Sequence, residues 1–216
     1  MNDKIKKLVS ISDAPISAQE IIAPDGWGGL KRKLLGLLSL RNGFYAFGAS
    51  LLVRPLGDGS CPFSVERWNA ADLWRDCYKL DLPDLYFFAE DVFGGQFALT
   101  EDEVVSFDPE TGAIESMGNS LEQWADSILS DHDYFTGHSL AAAWQRENGA
   151  LPAGHRLVPK QLFALGGEFA VDNLMCVNEV RGMRSRGFFA TELKDVPDGA
   201  QVSFRLVDWA IGKKYK

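Results

Sequence analysis

His132, Asp133 and His138 form the densest group of side chains able to hold a metal or move a proton. Metal-assisted hydrolysis on one helix asks for two histidines four residues apart with a glutamate between them. Here the histidines are six apart and that glutamate is missing, so the segment reads as loop between two helices. A hydrolase using the His132–His138 loop stands only as an alternative. Asp91, Glu101, Asp102 and Glu103 offer carboxylates for acid–base work, but turn acids of this kind ordinarily stay solvated. The run Gly26-Trp27-Gly28-Gly29-Leu30-Lys31 lacks the spacing that brings backbone amides and a lysine onto phosphates. No G-x-S-x-G elbow presents a serine nucleophile. Cys61, Cys77 and Cys176 are odd in number and widely spaced, which argues against a disulfide framework or a zinc knuckle. They read as reduced, half-buried thiols. These residues predict a chain that is not an enzyme, with no catalytic residue, no metal site and no cofactor.

Charge is the stronger signal. The net charge is −8, yet residues 58–133 hold 18 acids against Arg67, Arg75 and Lys79. The flanking segments, 1–57 and 134–216, are both mildly basic. An acidic block repels phosphates, so nucleic acid is excluded as a partner of the middle of the chain. It suits a basic protein, because complementary potentials speed encounter and reject wrong partners. No apolar run reaches the length of a membrane span, and no apolar segment follows Lys4, Lys6 and Lys7 to make a secretory signal. The expected location is cytoplasmic, with no membrane partner.

The elements that would carry these acids follow from periodicity. Ser17 to Glu20 has the form of a capping box for a short helix. Asp25 would cap a helix with Leu30, Leu34, Leu37 and Leu38 on its apolar stripe. Asn42-Gly43 marks a turn before one or two strands within 44–53. Asn69 would start a helix carrying Leu73, Trp74, Cys77 and Tyr78, which Pro83 stops. Strands are expected over 85–90, 96–100, 104–108 and 113–117, joined by Gly94-Gly95 and by Asp108-Pro109-Glu110-Thr111-Gly112. Asn119 and Glu122 frame a second capping box before the clearest amphipathic helix, with Leu121, Trp124, Ala125, Ile128 and Leu129. Thr136 opens a helix that Gly149 ends. Strands over 162–165 and 169–177, a helix over 180–193 and a last strand with Val202, Phe204 and Leu206 complete the pattern.

Several of these segments together resemble the SUKH superfamily, which includes the yeast cell-wall-synthesis regulator and many bacterial toxin-immunity proteins. The resemblance starts at Leu40-Arg41-Asn42-Gly43-Phe44-Tyr45-Ala46-Phe47. It continues through Trp68-Asn69, Trp74 and Tyr78, and is strongest over 87–99. It then runs through 105–112 to the helix carrying Trp124. It covers a little under half of the chain, and 157–208 is similar to the tail of longer bacterial members. The N-terminal helix departs from the family's Leu-Pro and aromatic pattern. The resemblance implies an α+β fold, an antiparallel sheet with helices packed beside it, and no known catalytic residues. It also implies protein binding, often to neutralise a toxin.

The combined expectation is a single domain over 1–216, with 1–25 as an N-terminal extension and 134–216 as a C-terminal elaboration. The partner is expected to be a protein, a toxin of basic nuclease type. An intracellular scaffold or regulator of the same fold is the alternative. The residues expected to meet the partner are exposed turn acids: Glu90, Asp91, Glu101, Asp102 and Glu103.

Overall fold

The computed structural model describes residues 3–57, 61, 64–197 and 199–200. Its centre is an antiparallel meander in which each strand pairs with the next: β1 (Phe44–Ala46), β2 (Leu51–Val53), β3 (Tyr86–Asp91), β4 (Gln96–Leu99), β5 (Val104–Phe107) and β6 (Ile114–Ser116). Turn chemistry sets this order. Gly43 enters β1 at φ 68°, where an added Cβ would lie 2.6 Å from the Pro55 nitrogen. Asp108 opens the β5–β6 turn by accepting from the Glu110 amide at 2.8 Å. The helices are α1 (Asp3–Ser10), α2 (Gly29–Leu40), α3 (Val65–Trp68), α4 (Leu121–Ser130), α5 (His132–Thr136), α6 (His138–Asn148) and α7 (Glu179–Leu193). A second small sheet pairs β7 (His155–Pro159) with β8 (Leu174–Asn178). The fold is α+β, with helices packed on the sheet.

Alternation along the strands sorts side chains onto two faces. One face carries Leu51, Val53, Phe97, Leu99 and Val104, and packs against Leu8 of α1, Leu34 and Leu37 of α2, and Trp124 and Ile128 of α4. The other carries Phe87, Ala98, Val105 and Phe107 under Trp68, Trp74, Tyr78 and Met183. Between Phe87 and Ala89 the β3–β4 register shifts by one residue. This bulge sends Phe88 and Ala89 both into the first face and returns Glu90 to the second, opposite Gln96. Val92 extends β3 beyond the sheet, and its carbonyl accepts from the Leu157 amide at 2.9 Å, tying β7 to the meander.

Several expectations are corrected. Ser17 to Glu20 forms no helix; the Ser17 hydroxyl accepts from the Gln19 amide in a local turn. No apolar stripe follows it, so capping chemistry alone did not nucleate a helix. The helix expected from Asn69 is a turn plus one 3-10 turn at Arg75–Cys77. Asn69 instead bonds the Phe87 backbone through both of its amide atoms. The apolar run Phe163–Leu165 is a 3-10 turn rather than a strand, and β7 precedes it. The last expected strand, at Val202 to Leu206, lies outside the described residues.

The capping box before α4 sits one residue later than expected. Ser120 accepts from the Gln123 amide at 3.2 Å, and the Gln123 side chain accepts from the Asn119 amide at 2.8 Å. Ser120→Ala should cost about 1 kcal/mol in a urea titration, because it leaves an amide of the first turn without its acceptor. An unchanged midpoint would contradict this geometry.

Candidate functional site: an acidic, aromatic cleft

The bulge in β3 decides the fate of Glu90. Its carboxylate is fully buried and meets Arg54 Nη2 at 2.9 Å and Arg156 Nε at 2.6 Å. Arg54 Nη2 also pairs with Glu179 at 3.2 Å, making an alternating chain of two acids and two arginines. Gln96 Nε2 donates to Glu90 at 2.9 Å, and Trp68 Nε1 donates to Gln96 at 2.8 Å. The Arg54 guanidinium lies 3.4 Å from the Trp68 ring centroid. Burial alone would raise the Glu90 pKa, but Arg156 and Arg54 outweigh it and hold the group well below the usual carboxylate range. The expectation of an exposed, partner-binding Glu90 is therefore corrected: this acid joins β2, β3, β7 and α7 inside the protein.

Asp91, the next residue, turns the other way. Its Oδ1 accepts from the amides of Phe93 and Gly95, both at 2.8 Å, closing the β3–β4 turn. Burial raises its pKa to about 7, against the lowering pull of the Gly95 amide, Arg186 and the Phe93 amide. The folded chain thus holds a proton here that the unfolded chain, titrating near ~3.9, has already released. Stability from this group falls as pH rises from about 4 to 7. Asp91→Asn keeps an oxygen for both amides and should flatten that slope in urea midpoints at pH 5 and pH 8. A slope unchanged by the substitution would remove Asp91 as its source.

Glu101, Asp102 and Glu103 are exposed, as expected, on the β4–β5 turn. They stand at the opposite end of these strands from Asp91. The structure does not bring the five predicted acids to one site.

A different set of acids does converge. Where the β3–β4 and β5–β6 turns meet α5, α6 and the 163–169 loop, a cleft of about 680 Å³ opens. Among the described residues its acids are Asp91, Asp108, Glu110, Glu115 and Asp133, against one base, Arg186. Its apolar wall is aromatic: Phe163 and Phe169 stack at 3.9 Å with 7° between planes, and Phe93 meets both edge-on. Phe169 is 68% exposed and Tyr134 is 77% exposed at the mouth. Aromatic rings left in water beside a cavity are unusual outside recognition sites.

Glu110 is the deepest acid of this group, at 4% exposure. Its Oε2 accepts from the Ala164 amide at 2.9 Å, and its buried Oε1 has no hydrogen-bond partner among the described residues. Burial raises its pKa, against the Ala164 amide, Arg186 and the Phe163 amide. Glu110 also borders a smaller cavity of about 330 Å³ beside Leu193. Arg186 donates to the carbonyls of Phe93 and Gly182, which pins its guanidinium beneath the β3–β4 turn. An added Cβ at Gly94 would strike it, so that turn needs glycine on steric grounds as well as for its φ of 82°.

The histidines come together, but around a backbone turn. Phe47 stacks on His132 at 4.8 Å, and His138 Nδ1 lies 2.8 Å from the Phe47 carbonyl. Phe47 and Ala49 have left-handed φ values of 52° and 70°, so these contacts offset strain in the β1–β2 turn. Among the described residues no group of three or more His, Cys, Asp or Glu side chains could hold a metal ion. No described helix is long and apolar enough to cross a membrane.

Comparison with known proteins bears on the fold alone. No protein-family model matches the chain, and no curated protein is similar to it. The crystal structure of Atu4351 from Agrobacterium tumefaciens has a similar fold. Its TM-score is 0.57 at 13% identity, covering 87% of this chain and 89% of that one.

Proposed function

We propose that this chain is a non-enzymatic protein-binding module that receives a basic protein partner at the cleft bounded by Asp91, Asp108, Glu110, Glu115 and Asp133. The observation that carries the reading is the coincidence of the exposed acids Asp108, Glu115 and Asp133 with an exposed aromatic wall in one cavity. Interface hot spots combine such anchors with charge complementarity. The finer reading is an immunity protein of the SUKH kind that neutralises a basic, nuclease-type toxin in the cytoplasm. It is supported by the resemblance centred on 87–99 and by the acid excess of 58–133.

The test is to coexpress and copurify the chain with the product of the adjacent gene. Association measured from low to high salt should weaken about tenfold or more, as steering between opposite charges is screened. Rescue of cells from a toxic neighbour would support the immunity role. A stable native complex with a non-toxic partner would assign it to a scaffold or regulator. A neighbour that neither binds nor is toxic would defeat the toxin reading.

A further inference from the structure

We infer that the outer edge of β6 is the docking site of residues 202–206 of this same chain, which add to the meander as a further strand and set Arg205 beside Glu115. One consequence, that the chain competes with a basic partner for an acid of the cleft, rests on the protein-binding reading; the docking itself does not.

Three observations select that occupant. The first is an asymmetry between the two edges of the sheet. The β1 edge is covered, because the amides of Asp13 and Ile16 donate to the carbonyls of Tyr45 and Gly43 at 2.8 and 2.9 Å. Among the described residues no strand pairs with the outer side of β6, the last in the sheet order. Ala113 and Met117 turn backbone groups toward β5, so by alternation Ile114 and Ser116 present theirs outward. Such an edge is a template for another strand. The second observation is position. The described chain leaves α7 through a turn in which the Ala200 amide donates to the Pro197 carbonyl at 3.1 Å. Gly199 and Ala200 line the same cavity of about 330 Å³ as Glu110 and Thr111, in the turn that leads into β6. The sequence continues past Ala200, and five extended residues span about 17 Å, enough to run along β6. The third is pattern. Val202, Phe204 and Leu206 alternate with Ser203 and Arg205. The two sides of β6 match: Ile114 belongs to the apolar cluster with partly buried Leu80 and Leu82, while Glu115 is exposed in the cleft. Laying the apolar residues on the Ile114 side puts Arg205 on the Glu115 side, where an opposite-charge pair across strands is favourable.

The experiment follows backbone amide hydrogen exchange at Ile114 and Ser116 in the full chain by NMR. Docking should slow both amides about tenfold or more relative to an unpaired edge. Phe204→Pro, which removes a donor from the added strand, should return both to the fast rate. Arg205→Glu should reduce the protection about threefold or more, and combining it with Glu115→Arg should restore it. Protection that survives dilution of the protein supports docking within one chain. Protection lost on dilution assigns the edge to a second copy and overturns the inference. Fast exchange of both amides in the unaltered chain, or no effect of Phe204→Pro, overturns it as well. If a basic partner binds a chain whose Ile114 and Ser116 amides exchange freely, the protein-binding reading stands and only the docked strand falls.

Discussion

Replacing Glu90 with alanine should destabilise the protein by about 3–5 kcal/mol, the cost of breaking a buried ion pair from one side. Glu90 is fully buried and is bonded to Arg54, Arg156 and Gln96. Its loss leaves two arginines inside the protein with Glu179 as the remaining acid of the chain. The cost arises from the uncompensated cations more than from the attraction forgone. Glu103→Ala, on the exposed β4–β5 turn, should stay within about 0.5 kcal/mol. Urea unfolding at neutral pH compares the two, and equal effects would show that Glu90 is not in a buried network. The sign with pH also follows. The Glu90 pKa is depressed on folding, so its stabilisation is complete above the ordinary carboxylate range and is lost as pH falls through the lowered value. Acid unfolding of the parent protein should therefore be steeper than that of Glu90→Ala.

Trp124→Ala should cost about 3–5 kcal/mol for a different reason, a large cavity in the first face of the sheet. Trp124 is fully buried and meets Phe88 at 5.0 Å and Phe97 at 5.8 Å, both edge-on. It anchors α4 on the meander at the place where the bulge doubles the apolar side chains. Its ring nitrogen has no partner among the described residues. Trp124→Phe removes that orphan donor together with some volume, so its loss should be clearly smaller, about 1–2 kcal/mol. Chemical denaturation ranks the two variants, and the reverse order would contradict the packing described.

Much of the meander was legible because local chemistry and global fold agree there. Gly94-Gly95 and Asp108 to Gly112 each separate apolar runs and each is a turn between strands, and Asn42-Gly43 is the turn from α2 into β1. The helices carrying Trp124 and Trp144 were legible by their apolar periodicity. Ser17 to Glu20 misled because a cap without an apolar stripe has nothing to pack. Glu90 misled because one extra residue in β3 reverses which face it occupies, and a bulge leaves no mark in alternation read strand by strand. The acidic block of 58–133 lines the cleft only in part, and the cleft itself was out of reach of the sequence. Its residues come from the turns at 91–95 and 108–115, from α5, from the 163–169 loop and from α7, segments that only the folded chain brings together. Of the cleft acids only Asp91 was singled out in the sequence as partner-binding; Asp108, Glu110, Glu115 and Asp133 were missed in that role, as were Phe163 and Phe169, which were read as strand residues. The one available cue was an aromatic on either side of Gly166-Gly167.

The central claim, that a basic protein partner is held at the acidic cleft, is tested most directly by two charge reversals in one binding assay. Asp108→Lys with Glu115→Lys reverses the cleft; Glu101→Lys with Glu103→Lys makes the same change in charge on the far turn. Titration calorimetry with the product of the adjacent gene should show affinity reduced about a hundredfold or more by the first pair and little changed by the second. Loss of binding in the second pair with retention in the first would place the interface at the β4–β5 turn and contradict the account.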